Sequence, residues 1–137
     1  MGNIISLVTG GCGFIGSHLV DRLIAEGHQV RVVDNFTTGR PQNLEHQKEN
    51  KNLEIYQMDI RNKEEIKPVF QGVDYVFHLA ALADIVPSIQ KPWEYYSSNV
   101  LGTYNVVECT REAGIRKLVY AASSSLYCQV IFLKKSR

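Results

Sequence analysis

Apolar and polar residues alternate along this chain in two distinct rhythms. Short apolar runs bounded by glycine, asparagine or aspartate read as buried strands. They fall at residues 4–9 (IISLVT), 29–34 (QVRVVD), 53–59 (LEIYQMD), 74–79 (DYVFHL) and 117–123 (KLVYAAS). Helical spacing runs through residues 14–25, with Ile15, Leu19, Leu23 and Ile24 on one side and Gly27 as the stop. Residues 63–70 predict a short helix, and residues 93–113 a long one carrying Val100, Tyr104 and Val107, with Gly114 at its end. Residues 36–52 are polar, hold Gly39 and Pro41, and read as a loop with one or two helical turns. Residues 82–92 hold Pro87 and Pro92 and read as a loop. Strands alternating with helices imply right-handed crossovers and a parallel sheet covered on both faces.

The 137 residues suit one domain, and no repeat, linker or low-complexity tract divides them. A hydrophobic fraction of 45% with 21% charged residues argues against global disorder. Fifteen Lys and Arg against 14 Asp and Glu leave a net charge of +1, so nothing electrostatic points to nucleic acid. No apolar run approaches the ~20 residues of a membrane span. The start of the chain lacks the basic segment and cleavage site of a signal peptide. Gly2 with Ser6 matches an acylation pattern, but the same residues open a strand expected to be buried. Cys12, Cys109 and Cys128 are odd in number and widely spaced, without metal-ligand or disulfide spacing. The expectation is a reducing cytoplasm and no metal.

The sharpest local signal is the run from Val8 to Gly16, VTGGCGFIG, between the first strand and the first helix. It contains G-x-G-x-x-G (Gly11, Gly13, Gly16) and G-x-x-G-x-x-G (Gly10, Gly13, Gly16). Glycines there permit a sharp turn, let a pyrophosphate approach the backbone, and let the helix pack close to the sheet. The helix amino terminus then offers free N–H groups and a positive dipole end. Cys12 sits where that terminus could activate a thiol, although a small filler is the commoner role. Asp34 closes the second strand 18 residues after Gly16, near the spacing of the acid that binds a ribose 2′-hydroxyl. A carboxylate there opposes a 2′-phosphate and favours NAD over NADP; Arg40, six residues on, is the counter-signal. Asp59 closes the third strand and suits either the adenine amino group or a helix cap. The expected fold class is α/β: a Rossmann-type doubly wound parallel sheet with helices on both faces.

VTGGCGFIGSHLV, VVDN, MDIR, FHLAA, SNVLGTYNVVE and AASSSLY follow one another in that order. Together they resemble the amino-terminal half of an extended short-chain dehydrogenase/reductase, in the NAD-dependent epimerase/dehydratase family that acts on nucleotide sugars. The likeness covers about residues 3–127, and the stretch ALADIVPSIQKPWEYYSSNV most resembles UDP-sugar 4-epimerases. It implies that Gly10, Gly13, Phe14, Ile15 and Gly16 hold the pyrophosphate of NAD. Asp34, Asn35, Phe36, Thr37, Thr38 and Gly39 would surround the adenosine ribose, and Asp59 and Ile60 would meet the adenine. Leu79, Ala80, Ala81 and Ala83 would pass under the cofactor, while His78 beside them reads as structural. Asn99 or its neighbour Ser98 would contact the cofactor from the long helix. Ser123 matches the family serine that hydrogen-bonds the sugar's reacting oxygen, although Ser124 and Ser125 offer the same group. Members of the family pair through two long helices, one of them matching residues 93–113, so a weakened homodimer is expected.

The family's chemistry also needs Y-x-x-x-K, whose tyrosine takes the sugar hydroxyl proton while hydride moves to NAD. No tyrosine of this sequence has a lysine four residues later; Tyr127 has Ile131. Tyr127 instead matches the structural tyrosine of S-S-x-x-Y-G, with Cys128 at the glycine. The resemblance implies a sheet truncated after about the fifth strand, and the division expected is an incomplete NAD(P)-binding domain over residues 1–127 and a divergent tail over 128–137. The reading is the NAD-binding part of a UDP-hexose 4-epimerase-like protein, inactive as this chain. Alternatives are a 4,6-dehydratase or a UDP-glucuronate-acting relative, a non-catalytic dinucleotide-binding module, and a non-functional remnant. A frameshift, an early stop or a misread gene is the expected origin. Sequencing the coding DNA beyond codon 128 tests it: a shifted frame should restore P-x-x-E and then Y-x-x-x-K, and its absence overturns the expectation.

Overall fold

The computed structural model describes residues 3–123; Tyr127, Cys128 and the expected tail lie outside them. Five strands form one sheet: β1 Ile5–Thr9, β2 Gln29–Asp34, β3 Leu53–Gln57, β4 Tyr75–His78 and β5 Lys117–Tyr120. Their order is β3-β2-β1-β4-β5, and every pairing is parallel. β1 lies at the centre because its side chains are buried on both faces, and alternation sends neighbours to opposite layers. Leu7 packs with Val33, Ile66, Phe70, Val76 and Val106 on one face. Val8 packs with Val20, Leu23, Val30, Val32 and Leu44 on the other. These are the two cores of a doubly wound sheet.

Helix α1, Phe14–Ala25, has the bounds that its flanking glycines suggest, and it buries Val20 and Leu23. The polar loop after β2 contains a 3-10 segment, Pro41–Gln47, whose Leu44 plugs the second core. Residues 63–70 are not one α-helix: α2, Lys63–Ile66, passes into a 3-10 turn, Lys67–Phe70, where Pro68 has no amide to continue the ladder. Residues 82–92 are not simply a loop. They contain α3, Ile85–Gln90, in which Pro87 occupies the first turn, where a missing N–H leaves no helical bond unmade. The long helix is divided into α4, Pro92–Tyr96, a π-helical turn, Ser97–Gly102, and α5, Thr103–Glu112.

The opposite end of the sheet is tied by polar contacts. Ile5 N–H donates to Asp74 Oδ2 at 3.0 Å, and the Arg31 guanidinium donates to the carbonyls of Val69 and Gln71 at 2.8 and 2.7 Å. Among the described residues no helix is long and apolar enough to cross a membrane, and no group of three or more His, Cys, Asp or Glu is placed to hold a metal ion.

His78 is the polar pin between the central strands and α5. Its Nδ1 lies 2.6 Å from Thr9 Oγ1 and its Nε2 2.8 Å from Thr103 Oγ1, and the ring stacks on Tyr120. Burial pushes its pKa down to about 4. The unfolded chain therefore binds a proton at higher pH than the fold does, and stability falls as pH drops from the ordinary histidine value towards 4. Urea unfolding should show a loss approaching about 3 kcal/mol from this residue between pH 7 and pH 4. His78→Gln should flatten that part of the profile, and an unchanged profile would refute the assignment.

Candidate functional site

The sheet order reverses beside β1, where one connection leads to β2 and another to β4. A crevice at the carboxyl ends of the strands opens at such a point. Here it is a cleft of about 410 Å³ with three walls. The glycine turn supplies Gly10, Gly13, Phe14, Ile15 and Gly16. The ends of β2 and β3 supply Val33, Asp34, Asn35, Thr37, Thr38, Gly39, Met58 and Ile60. The segment after β4 supplies Leu79, Ala80, Ala81, Leu82 and Ala83, joined by Ser98 and Ala121.

The glycine turn is as tight as a backbone allows. Gly10 has φ +73°, and a Cβ there would stand 2.7 Å from Ala80 N. A Cβ on Gly16 would stand 2.1 Å from Gly10 O. The turn closes with Gly13 N–H on Gly10 O at 3.1 Å and Ser17 N–H on Gly13 O at 2.9 Å. The first amides of α1 have no carbonyl partner within their own helix and end at the cleft. Phe14 and Ile15 are exposed at its mouth.

Asp34 is buried, and its carboxylate is part of the turn's framework. Oδ2 accepts from Cys12 N–H at 3.0 Å, and Oδ1 from Phe36 N–H at 2.9 Å. Phe36 is held at φ +60° and packs on the core with Val8 and Val20, so it does not line the cleft as its position suggested. Arg40 is tied by its amide to Cys12 O and is not among the lining residues. Cys12 is a buried filler. Burial first, and the Asp34 charge second, push its thiol up to about 12, so the helix terminus does not activate it.

Two further expected contacts are engaged elsewhere. Asp59 does not line the cleft. Its Oδ1 accepts from Arg61 N and Nε at 2.9 Å each; its Oδ2 accepts from Arg61 Nη2 at 2.6 Å and Asn35 Nδ2 at 3.0 Å. Those four bonds fill the usual capacity of a carboxylate. The Arg61 guanidinium is the main reason its carboxyl is held down at about 2. Asn99 does not line the cleft either; its side chain clasps the Leu82 backbone, and the neighbouring Ser98 faces the space. Ser123 is exposed beyond β5, outside the lining, while Ala121 of the same segment is within it. The spacing arguments missed Val33, Met58, Leu82 and Ala121, which are apolar neighbours of the signalled residues and carry no chemical mark of their own.

Sheets of this order with a glycine turn at the reversal make up the dinucleotide-binding class of α/β proteins, and the geometry puts this chain in that class. A sequence profile of the NAD dependent epimerase/dehydratase family matches residues 6–132. The chain belongs to that family, and it corresponds to the family's amino-terminal, NAD-binding part. The match runs past Cys128 into the segment expected to diverge. UDP-glucuronic acid decarboxylase 1 of Danio rerio is 39% identical over 121 residues, covering 88% of this chain and 28% of the relative. UDP-glucuronate 4-epimerase of Thermodesulfobacterium geofontis is 39% identical over 128 residues, covering 88% and 40%. The crystal structure of Thermus thermophilus UDP-glucose 4-epimerase in complex with NAD superposes with a TM-score of 0.78 at 38% identity, covering 88% and 38%. The chain thus spans 28 to 40% of the length of these three proteins.

Burial of Cys12 has a direct chemical consequence. Iodoacetamide at pH 8 should leave Cys12 unmodified in the folded chain and label it after urea unfolding, read by peptide mass spectrometry. Rapid labelling of native Cys12 would show the turn to be open.

Proposed function

We propose that this chain binds NAD in the cleft and is the cofactor half of a nucleotide-sugar epimerase, of the kind that inverts C4 of a UDP-hexose. The carrying observation is the glycine turn packed against Ala80, with Asp34 fixed beside it. That arrangement suits the cofactor. The turn leaves backbone and helix-end amides for a pyrophosphate. Asp34 has two acceptor positions engaged and about two left for ribose hydroxyls. Its charge opposes a 2′-phosphate, and the Arg40 side chain is not in the lining to offset it. Met58 and Ile60 offer an apolar seat for adenine. Leu79, Ala80, Ala81, Ala83 and Ser98 form the wall for the rest of the dinucleotide.

When bound, NAD supplies the hydride acceptor and donor for the sugar carbon. The chain's own part is to bind and orient. Ser123, by its family match, would hydrogen-bond the sugar's reacting oxygen. Proton transfer calls for a tyrosine with a lysine four residues on, and no such pair occurs in the sequence. A UDP-glucuronate-acting relative is the second reading, favoured by the identity to the decarboxylase and to the UDP-glucuronate epimerase. Free, buried Cys12 and Cys109 suit a reducing cytoplasm. The exposed stripe of Trp93, Tyr96, Val100 and Tyr104 suits pairing with a second copy.

Calorimetry on the 137-residue chain should show NAD bound at one site, at least about tenfold more tightly than NADP. Asp34→Asn should narrow that ratio. No turnover of UDP-glucose should be detected with NAD present. Equal affinity for the two dinucleotides, or none for either, would overturn the reading.

A further inference from the structure

Asp59 stands between two residues that line the cleft, Met58 and Ile60, yet it is not in the lining itself. Its carboxylate is taken up by Arg61. The guanidinium supplies two of its four hydrogen bonds, Nε on Oδ1 at 2.9 Å and Nη2 on Oδ2 at 2.6 Å. The other two come from Arg61 N–H and Asn35 Nδ2. The usual acceptor capacity of a carboxylate is then full. The side chains left at this end of the cleft read a base poorly. Met58 and Ile60 are apolar. Each polar atom of the Asn35 amide already has a partner, since Nδ2 donates to Asp59 and Oδ1 accepts from Thr37 N–H at 3.0 Å. The Thr37 and Thr38 hydroxyls both donate and accept, so they do not tell an amino group from a carbonyl.

The backbone around Asp59 is held without the guanidinium. Asn62 N–H donates to Asp59 O at 2.9 Å, and Asn105 Nδ2 donates to the carbonyls of Ile60 and Arg61 at 3.0 Å each. Gly102 lets the following helix lie against Ile60, since a Cβ there would stand 2.6 Å from Ile60 Cδ1. None of these contacts uses the Arg61 side chain, which is 45% exposed. When that side chain is shortened, Oδ1 keeps Arg61 N–H and Oδ2 keeps Asn35. Each oxygen regains one free acceptor position.

We infer that Arg61 is a positioning residue that sets base specificity: by filling the acceptors of Asp59 it leaves the base seat without a side chain that reads the adenine amino group. The inference rests on the cleft being the NAD site, with the base on Met58 and Ile60. The ligand class then widens to purine dinucleotides with a carbonyl in place of that amino group. Nicotinamide hypoxanthine dinucleotide, the deaminated analogue of NAD, is one, and it carries the same net charge as NAD. A backbone N–H at this wall finds an acceptor on either base, N1 of adenine or the carbonyl oxygen of hypoxanthine. A freed Asp59 carboxylate accepts from the amino group and repels the carbonyl, so it selects adenine.

The test is calorimetry at pH 7 with both dinucleotides, on the 137-residue chain and its Arg61→Ala, Arg61→Met and Arg61→Ala/Asp59→Asn variants. Losing a positive charge affects both ligands alike, so the ratio of their affinities is the quantity read. The unsubstituted chain should bind the two within about threefold of each other. In Arg61→Ala and Arg61→Met the ratio should rise at least about fivefold in favour of NAD, through a hydrogen bond to an ionised acceptor. An asparagine amide can donate or accept, so Asp59→Asn should cancel that rise. A preference for NAD above threefold in the unsubstituted chain would overturn the inference. So would an unchanged ratio in the Arg61 variants, or a rise that survives Asp59→Asn. In these cases NAD binding itself stands. A chain that binds neither dinucleotide would overturn the cofactor reading, and this inference with it.

Discussion

Everything at the carboxyl end of the sheet is organised around one backbone crossing that has no room for a side chain. The start of α1 passes so close to Gly10 that a methyl group on Gly16 would stand 2.1 Å from its carbonyl oxygen. That contact sets the direction in which α1 leaves β1 and fixes where its free amides point. Neighbouring elements are keyed to the same turn. Cys12 gives its amide to Asp34, and its carbonyl accepts from Arg40 N–H and Asn43 Nδ2. The end of β2, the 3-10 segment and the glycine turn thus form one hydrogen-bonded unit. On the other side Gly10 rests against the Ala80 backbone, so the alanines after β4 continue the same close packing.

The residues legible from sequence are those whose type is dictated by a local demand. A turn at positive φ requires glycine at residue 10, and a strand end facing amides suits the carboxylate of Asp34. Helix α1 has its expected bounds because glycines stand at both ends. Residues whose orientation depends on a distant partner were harder to read. Asp59 stands at the strand end where spacing put it, but Arg61 and Asn35 fill its acceptors. Phe36 follows Asn35 in sequence and turns into the core because its backbone is left-handed there. Asn99 faces Leu82, seventeen residues away along the chain. The π-helical turn that carries it has no residue signature, and Pro87 disguised α3 because a proline is compatible with a first helical turn as well as with a loop.

The two ends of the sheet are stabilised by different means. At the base, charged and polar side chains of Asp74 and Arg31 bind backbone groups directly. At the cleft end the ties are mostly made by backbone amides, with His78 and its two threonines joining β1, β4 and α5 beneath. Buried polar pins of this kind fix the register of layers that apolar packing alone would let slide. The cleft is therefore held from below by the core and from the sides by its own main chain.

The position of β1 between β2 and β4 also governs the order of assembly. Its pairing with β2 joins residues 24 apart, as in Ile5 with Gln29, whereas Ser6 meets Tyr75 across 69 residues. Loop-closure entropy makes the second pairing dearer by about 1 kcal/mol. During synthesis at roughly 5–20 residues per second, β4 follows β2 by on the order of seconds. Through that interval the second edge of the most buried strand is unpaired, the condition under which strands recruit foreign chains. The glycine turn also waits for Leu79 and Ala80 to close against it. The ligand cleft is thus a late product of folding, assembled after the layer formed by α1, β1 and β2.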